Sequence, residues 1–229
     1  MSDINNSPHG LACRRCGTCC LSGPPALHGA DMELYSTAQV TKGHLVTFRR
    51  GEWVHDNVQD KVLCLDQEMV RIGSLPGSRT CIFYDHGQRA CKIYDNRPLE
   101  CRTFACWDPG GLRQIYAQDR IQRLDLIPAR SALGQIIAEH EGMCSWPQAL
   151  QLLGPVKKNP DGVQAEELNR ILKADHEVRR GLRERAGATE AELNFILGRD
   201  MAAVLPLLGL GVIADKTGYR FEIIRTKAD

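Results

Sequence analysis

Two blocks of cysteines dominate the chemistry available to this 229-residue chain. Thiolate sulfur prefers zinc, Cu(I) and iron–sulfur clusters over hard cations. The sequence therefore predicts a metal centre held by cysteine thiolates. The first block is Cys13-x2-Cys16-Gly17-Thr18-Cys19-Cys20, and the second comprises Cys81, Cys91, Cys101 and Cys106.

The spacing within the first block supports this prediction. The two-residue gap between Cys13 and Cys16 lets one tight turn point both sulfurs at one metal, and Gly17 permits the positive φ that such a turn often needs. The side chains of adjacent Cys19 and Cys20 diverge, so we expect one of them to face a second metal or to be a free reactive thiol. Eight thiolates can serve two four-ligand centres, or one centre and a separate redox-active set.

The remaining metal-binding side chains give weaker signals. Cys64 and Cys144 stand alone in the sequence, and isolated cysteines are usually buried small apolar residues. The seven histidines are scattered and form no His-x3-5-His half-site, so we do not predict histidine ligands.

The composition argues against some classes of partner. A formal net charge of +1 and a pI near 7.6 give no reason to expect nucleic acid or an anionic membrane as the main partner, and the basic cluster at 179–185 is offset by neighbouring glutamates. The apolar stretch at 201–214 is shorter than the roughly 20 residues that span a bilayer, and residues 1–11 lack the apolar core of a signal peptide. We therefore predict a cytoplasmic protein, in whose reducing environment clustered cysteines are metal ligands rather than disulfides.

The composition of the chain changes near residue 112, because nine of its ten cysteines lie before that point. The predicted class is α+β, in which an irregular cysteine-rich, metal-centred module precedes a mostly helical region that ends in a β-hairpin. Within the module, short apolar runs predict strands at 45–48, 62–65 and 69–72, and we expect a short helix at 30–39. The predicted divisions are a disordered tail at 1–11, the metal-binding module at 12–112 and the helical C-terminal region at 113–229.

The C-terminal helices are predicted from apolar periodicity and from capping residues. Asp161 and Gln164 form a candidate capping pair, and Thr189 with Glu192 forms a second. Pro206 is expected to stop the last helix. Helices are thus predicted at 131–141, 147–153, 164–186 and 189–205, and an alternating apolar pattern predicts a hairpin at 212–223.

Four motifs together resemble the bacterial cysteine-cluster proteins of the CxxCxxCC, or YkgJ, type. The resemblance covers about residues 11–108 and implies a zinc- or iron-chelating domain, often described as an iron–sulfur protein. Cys106-Trp107-Asp108 departs from the family pattern, which makes Cys106 the weakest of the eight candidate ligands. A related motif occurs in flagellin lysine methylases, so methyl transfer is retained as an alternative function. The motifs are Cys13-x2-Cys16-Gly17-x-Cys19-Cys20, Cys81-Ile82-Phe83, Cys91-Lys92-Ile93-Tyr94 and Arg97-Pro98-Leu99-Glu100-Cys101-Arg102.

Two arginines flank Cys101 and are candidate cofactor-binding residues. A four-thiolate site carries net negative charge, which the guanidinium groups of Arg97 and Arg102 would stabilise. Surface ion pairs with Asp95 and Glu100 are the alternative for these arginines. Four aromatic residues are expected to form an apolar shell around the site: Phe83, Tyr94, Phe104 and Trp107.

The sequence thus predicts one or two iron–sulfur clusters, with the 4Fe-4S type favoured, in an electron-transfer or accessory redox role with a protein partner. A zinc module, structural or involved in metal handling, is the first alternative. A metal-dependent enzyme of methyl transfer or thiol redox chemistry is the second, so the sequence leaves open whether the chain is an enzyme. The predicted metal ligands are Cys13, Cys16, Cys19, Cys20, Cys81, Cys91, Cys101 and Cys106.

Overall fold

A computed structural model describes residues 13–216 and 218–224, so the predicted tail at 1–11 lies outside the described residues. The described chain mixes helices with small antiparallel sheets, which confirms the α+β class. The helices are α1 Thr18–Ser22, α2 Met32–Ser36, α3 Leu99–Thr103, α4 Gly110–Ile115, α5 Arg123–Leu126, α6 Ala132–Met143, α7 Trp146–Lys158, α8 Val163–Ala186, α9 Glu190–Ile196 and α10 Met201–Val204. The strands are β1 Leu45–Phe48, β2 Trp53–Asp56, β3 Lys61–Cys64, β4 Met69–Ile72, β5 Tyr84–Asp85, β6 Ala90–Cys91, β7 Leu210–Asp215 and β8 Gly218–Ile223.

The strands of the first half form three two-stranded sheets, in which β1 pairs with β4, β2 with β3, and β5 with β6. Strands β1, β3 and β4 were predicted, whereas β2 was missed because its outward positions carry exposed side chains and give no apolar run. The prediction that Cys64 is buried was wrong. Cys64 lies opposite Trp53 in the register, and both side chains are exposed on the outer face of the hairpin.

The capping predictions had mixed outcomes. Thr189 and Glu192 form the predicted reciprocal cap of α9, in which Thr189 N donates to Glu192 Oε2 at 2.9 Å. The predicted cap of α8 by Asp161 and Gln164 was wrong. The N-cap is Gly162, which leaves Asp161 one residue too early for its carboxylate to reach the first turn.

The helix predicted at 189–205 is broken, and the reason is tertiary. Gly198 has φ 77°, which ends the run, and Asp200 starts α10 by accepting hydrogen bonds from Ala202 N at 2.8 Å and Ala203 N at 3.4 Å. A methyl group added at Gly198 would collide with the buried Arg49 side chain. The glycine therefore lets the chain turn around an arginine contributed by the first half of the chain.

One apolar core crosses the predicted boundary at residue 112. Three cysteines belong to it or pack against it: Cys81 is buried within it, and Cys20 and Cys91 lie on its side. The C-terminal helices therefore support the cysteine segments directly. Core residues from the first half include Leu27, Leu45, Val70, Ile72 and Phe83, and those from the second half include Ile121, Ile137, Leu182, Leu193 and Phe195.

A second core joins α7, α8, α10 and the C-terminal hairpin β7–β8. The hairpin was predicted, although Thr217 in its turn lies outside the described residues. Trp146, Leu168, Met201 and Leu210 are fully buried there. Among the described residues, no helix is long and apolar enough to cross a membrane.

Candidate metal centre

Helix α1 carries two of the converging thiols, those of Cys19 and Cys20. Its N-cap is Gly17 with φ 77°, and Leu21 N donates to Gly17 O at 3.0 Å. A methyl group added at Gly17 would collide with the ring of buried Tyr84. Glycine is thus required here both for the turn and for the close approach of the helix to Tyr84.

The two cysteine blocks meet through the backbone. Cys81 N donates a hydrogen bond to Cys20 O at 2.8 Å, although 60 residues separate them in sequence. Strand pairing then sets Cys91 opposite Tyr84, whose amide donates to Cys81 O at 2.9 Å. Main-chain contacts therefore help to hold Cys20, Cys81 and Cys91 as neighbours.

Helix α3, which carries Cys101, is fastened by two acidic side chains. Buried Asp31 accepts from Leu99 N at 2.8 Å and from His28 N at 3.0 Å. Glu100 accepts from Ala26 N at 2.9 Å and lies 3.3 Å from His28 Nε2. The segment before α2 thereby fixes the position of Cys101.

His28 has a structural role in this arrangement. Its Nδ1 lies 2.7 Å from Gln118 O and its Nε2 faces Glu100, so both ring nitrogens have partners. Burial opposes protonation, but the hydrogen bonds to Glu100 and Gln118 raise the pKa of His28 above its usual value. His28 thereby links Glu100 of helix α3 to the backbone at Gln118.

Six thiols converge on one region of the surface of the first half. The Cys20 thiol faces the sulfurs of Cys19 and Cys91 at hydrogen-bonding distance. Cys81 and Cys101 interact electrostatically with Cys19 and Cys91, and Cys16 interacts with Cys19. We call this set the cysteine group: Cys16, Cys19, Cys20, Cys81, Cys91 and Cys101.

The other two predicted ligands, Cys13 and Cys106, make different contacts. Cys13 is exposed, and its sulfur accepts a hydrogen bond from Arg15 N at 3.4 Å. Cys106 is exposed in the turn that Asp108 N closes on Ala105 O at 3.0 Å. The contacts of the described residues do not join Cys13 or Cys106 to the cysteine group.

The thiols of the cysteine group differ in how readily they ionise. Hydrogen bonding to Cys20 lowers the pKa of Cys19 and of Cys91 to about 6, with a further contribution from the positive charge of Arg97. The same contacts raise the pKa of Cys20. Burial raises the pKa of Cys81 to about 11 and that of Cys101 well above its usual value. Because ligating cysteines must lose their protons, metal binding at the buried thiols would release protons.

Arg97 and Arg102, the two candidate cofactor-binding arginines, face different partners. The Arg97 guanidinium lies 3.6 Å from the centroid of the Tyr94 ring, and Arg97 Nε donates to Tyr94 O at 2.8 Å. Its charge acts on Cys19 and Cys91, as described above. Arg102 instead pairs with Asp31 at 3.6 Å. Arg97 is thus the better placed of the two to offset thiolate charge.

Sequence reasoning missed Arg71, whose guanidinium acts on Cys81 from strand β4. Burial lowers the pKa of Arg71, while the negative charge of Glu100 opposes that shift. The sequence signal was a lone charged residue between Val70 and Ile72, both of which are fully buried. The predicted aromatic shell is uneven: Phe83 is buried, Tyr94 and Phe104 are half-buried, and Trp107 is exposed.

A second group of potential ligands lies in the C-terminal half, and the sequence did not predict it. His140, Cys144 and Asp175 are buried, and their donor atoms lie within 4.8 Å of one another. The prediction that Cys144 is buried is confirmed.

The contacts of this group favour a structural role. Asp175 Oδ1 lies 2.6 Å from His140 Nε2, and Asp175 Oδ2 accepts from Arg179 Nε at 3.0 Å. The neighbouring guanidinium of Arg49 donates to Cys144 O at 2.5 Å. Because both carboxylate oxygens are engaged and two arginines surround the site, a divalent cation is disfavoured, and the group joins α6 to α8.

A model of the protein family CxxCxxCC, described as "Putative zinc- or iron-chelating domain", matches residues 12–126. The matched segment contains all eight cysteines that were predicted as ligands, and it ends with helix α5. No curated protein and no solved structure matches the chain.

Proposed function

The chain belongs to the CxxCxxCC family, whose domain is described as zinc- or iron-chelating, and from this premise we propose that its cysteine group holds an iron–sulfur cluster in an electron-transfer or accessory redox role. The observation that carries the proposal is the convergence of six thiols from three chain segments around Cys20. A tetrahedral zinc ion and a 4Fe-4S cluster each take four protein ligands, so six thiols supply enough ligands for either.

The Cys20 thiol faces two others at hydrogen-bonding distance, but no three thiols of the described residues share the spacing of a zinc site. A tetrahedral zinc site with Zn–S bonds of about 2.3 Å sets its sulfurs about 3.8 Å apart. Among the described residues, the group whose three ligand atoms all lie within 4.8 Å of one another is His140, Cys144 and Asp175, and no three thiols of the cysteine group are that close. A polynuclear cluster separates its thiolate ligands more widely, because bridging sulfides lie between the irons.

The residues around the thiols suit an anionic cluster. Arg97 approaches from the side of Cys19 and Cys91, and Arg71 from the side of Cys81. Their charges would offset the negative charge of the thiolates and sulfides, which is one of the means by which proteins set cluster potentials. Buried Phe83 and Tyr84 cover the inner side and exclude water there.

When bound, the cluster would supply one-electron transfer. The chain would contribute thiolates from the cysteine group, and the 4Fe-4S type, which needs four, is compatible with that number. Cys19 and Cys16 are exposed, so one side of the site is accessible to a protein partner that exchanges electrons or metal.

The test is to purify the protein without oxygen and to measure iron, zinc and acid-labile sulfide per chain together with the visible spectrum. Iron and sulfide in matched amounts, with broad absorption near 400 nm, are expected. Stoichiometric zinc without sulfide would contradict the iron–sulfur proposal and leave the second candidate, a zinc module, which the family description also allows.

A further inference from the structure

A cleft of about 370 Å³ lies beside the cysteine group. Two of its wall residues come from the segments that carry the thiols, because Leu21 directly follows Cys20 and Arg79 precedes Cys81 by two residues. The tip of the β2–β3 hairpin forms the remaining side of the cleft. The lining residues are Leu21, Ser22, His55, Asn57, Asp60 and Arg79.

Two arginines concentrate positive charge at this cleft. Arg79 lines it and donates to Asn57 Oδ1 at 2.6 Å. Arg71 lies behind the same wall: a methyl group added at Gly23 would lie 3.2 Å from Asn57 Nδ2 and 3.7 Å from Arg71 Nη2. Burial lowers the pKa of Arg71, the negative charge of Glu100 opposes this shift, and the charges of Arg120, Arg199 and Arg79 add to it. Arg79 is therefore one of several positive charges that act on Arg71.

Neither arginine has an acidic partner at ion-pair distance in the described part of the chain. The recorded donor contacts of Arg71 and Arg79 end on Pro24 O and Asn57 Oδ1, which are neutral acceptors. Asp60, the carboxylate of the cleft, lies 3.2 Å from His55 Nε2. Arg79 is exposed and its side-chain hydrogen bond ends on a neutral oxygen, so it could bind an incoming anion without breaking an ion pair.

We propose that this cleft binds a small oxyanion, a phosphate or a carboxylate, with Arg79 as the direct contact and Arg71 as a second source of positive charge. Guanidinium groups bind the oxygens of both anions through charge-assisted hydrogen bonds. Ser22 and Asn57 add neutral hydrogen-bonding groups to the lining. A bound anion would contact the residue next to Cys20, so a small anionic substrate or metal carrier would meet the cysteine group from this side.

The experiment is a calorimetric titration of the full chain, as purified with its metal, with inorganic phosphate, with malonate and with sodium chloride at matched ionic strength. We expect phosphate or malonate to give a saturable heat of binding at one site per chain, and chloride to give none. The tighter of the two anions identifies the ligand class.

Two variants distinguish a specific anion-binding site from nonspecific electrostatic attraction. Arg79→Gln should weaken binding at least about tenfold, the loss expected when a charged hydrogen bond is removed. Arg170→Gln is the control, because Arg170 is an exposed arginine of α8 paired with Glu167, and it should bind like the parent protein.

A non-saturable heat that chloride reproduces, or equal binding by Arg79→Gln, would overturn the proposal. Anion binding is measured independently of whether the metal is iron or zinc. Its failure would therefore leave the proposed function unaffected, and the failure of the iron–sulfur proposal would leave the anion site in place.

Discussion

The amide of Cys81 donates a 2.8 Å hydrogen bond to the carbonyl oxygen of Cys20, which joins the two cysteine blocks through the main chain. Beside this contact, Cys20 and Cys91 pack on a core that includes C-terminal residues such as Leu193. Part of the metal site is therefore positioned by the fold, whereas exposed Cys16 precedes the short helix α1 and exposed Cys19 lies within it.

Removing the metal should loosen the first half of the chain more than the second. Binding free energy at such a site is partly folding free energy, and α1 and α3 are each only five residues long. Limited proteolysis of metal-loaded and chelator-treated protein, read by mass spectrometry, should show new cleavages within 13–108 while α6 to α8 stay protected. Identical cleavage patterns would contradict this.

Substituting Cys20 should abolish stoichiometric metal binding, because its thiol lies between those of Cys19 and Cys91. We expect Cys20→Ser to lose most of its metal per chain after purification. Cys64→Ser is the matched control, since Cys64 is an exposed cysteine outside the cysteine group, with its sulfur 3.4 Å from Gly51 O. Elemental analysis of both variants checks this, and full metal content in Cys20→Ser would remove Cys20 from the ligands.

Arg97→Gln should lower the reduction potential of the iron-loaded protein. The reduced cluster is more negative than the oxidised one, so a nearby cation stabilises it, and loss of that cation favours oxidation. A decrease of tens of millivolts is expected, roughly the size of a partly screened charge interaction. Arg102→Gln serves as the control, because Arg102 faces Asp31. Spectroelectrochemical titration of both variants measures the effect, and equal shifts would argue against a specific role for Arg97.

Asp175→Asn should destabilise the C-terminal half at neutral pH by about 3 kcal/mol, the usual cost of breaking a buried ion pair. Arg179 would keep its charge while its 3.0 Å carboxylate partner became neutral. Unfolding in guanidinium chloride, followed by circular dichroism at pH 7, measures the loss. A loss below about 0.5 kcal/mol would show that the pair is not important for stability.

The effect of Asp175→Asn should also depend on pH. Although burial opposes ionisation, hydrogen bonding to His140 and the charge of Arg179 lower the pKa of Asp175 to about 2. A carboxylate whose pKa is lower in the folded state stabilises the protein above its unfolded pKa of about 3.9, and this stabilisation is lost as the pH falls towards 2. The difference in stability between the parent and the variant should therefore shrink between pH 4 and pH 2. A constant difference would contradict the low pKa.

The local features of this protein could be predicted from its sequence. Four thiols within 13–20 favour soft metals whatever the fold, because the preference belongs to the sulfur atom. The apolar periodicity at 164–186 and the Thr189–Glu192 cap likewise report contacts within one helix, and α8 and α9 confirm them. The family resemblance, carried by the cysteine motifs, is confirmed in the same way.

The tertiary structure alone decided which of these residues meet. Sequence spacing gives no distance between Cys20 and Cys81, nor does it tell Arg97 from Arg102, because both arginines are close to Cys101 along the chain. The helix break at Gly198 could not be predicted from the sequence either. It depends on Arg49, which lies far away in sequence and packs against that glycine. The residue types determined the chemistry of the site. Long-range packing determined which residues come together there, because contacts between distant segments produce no periodic pattern in the sequence.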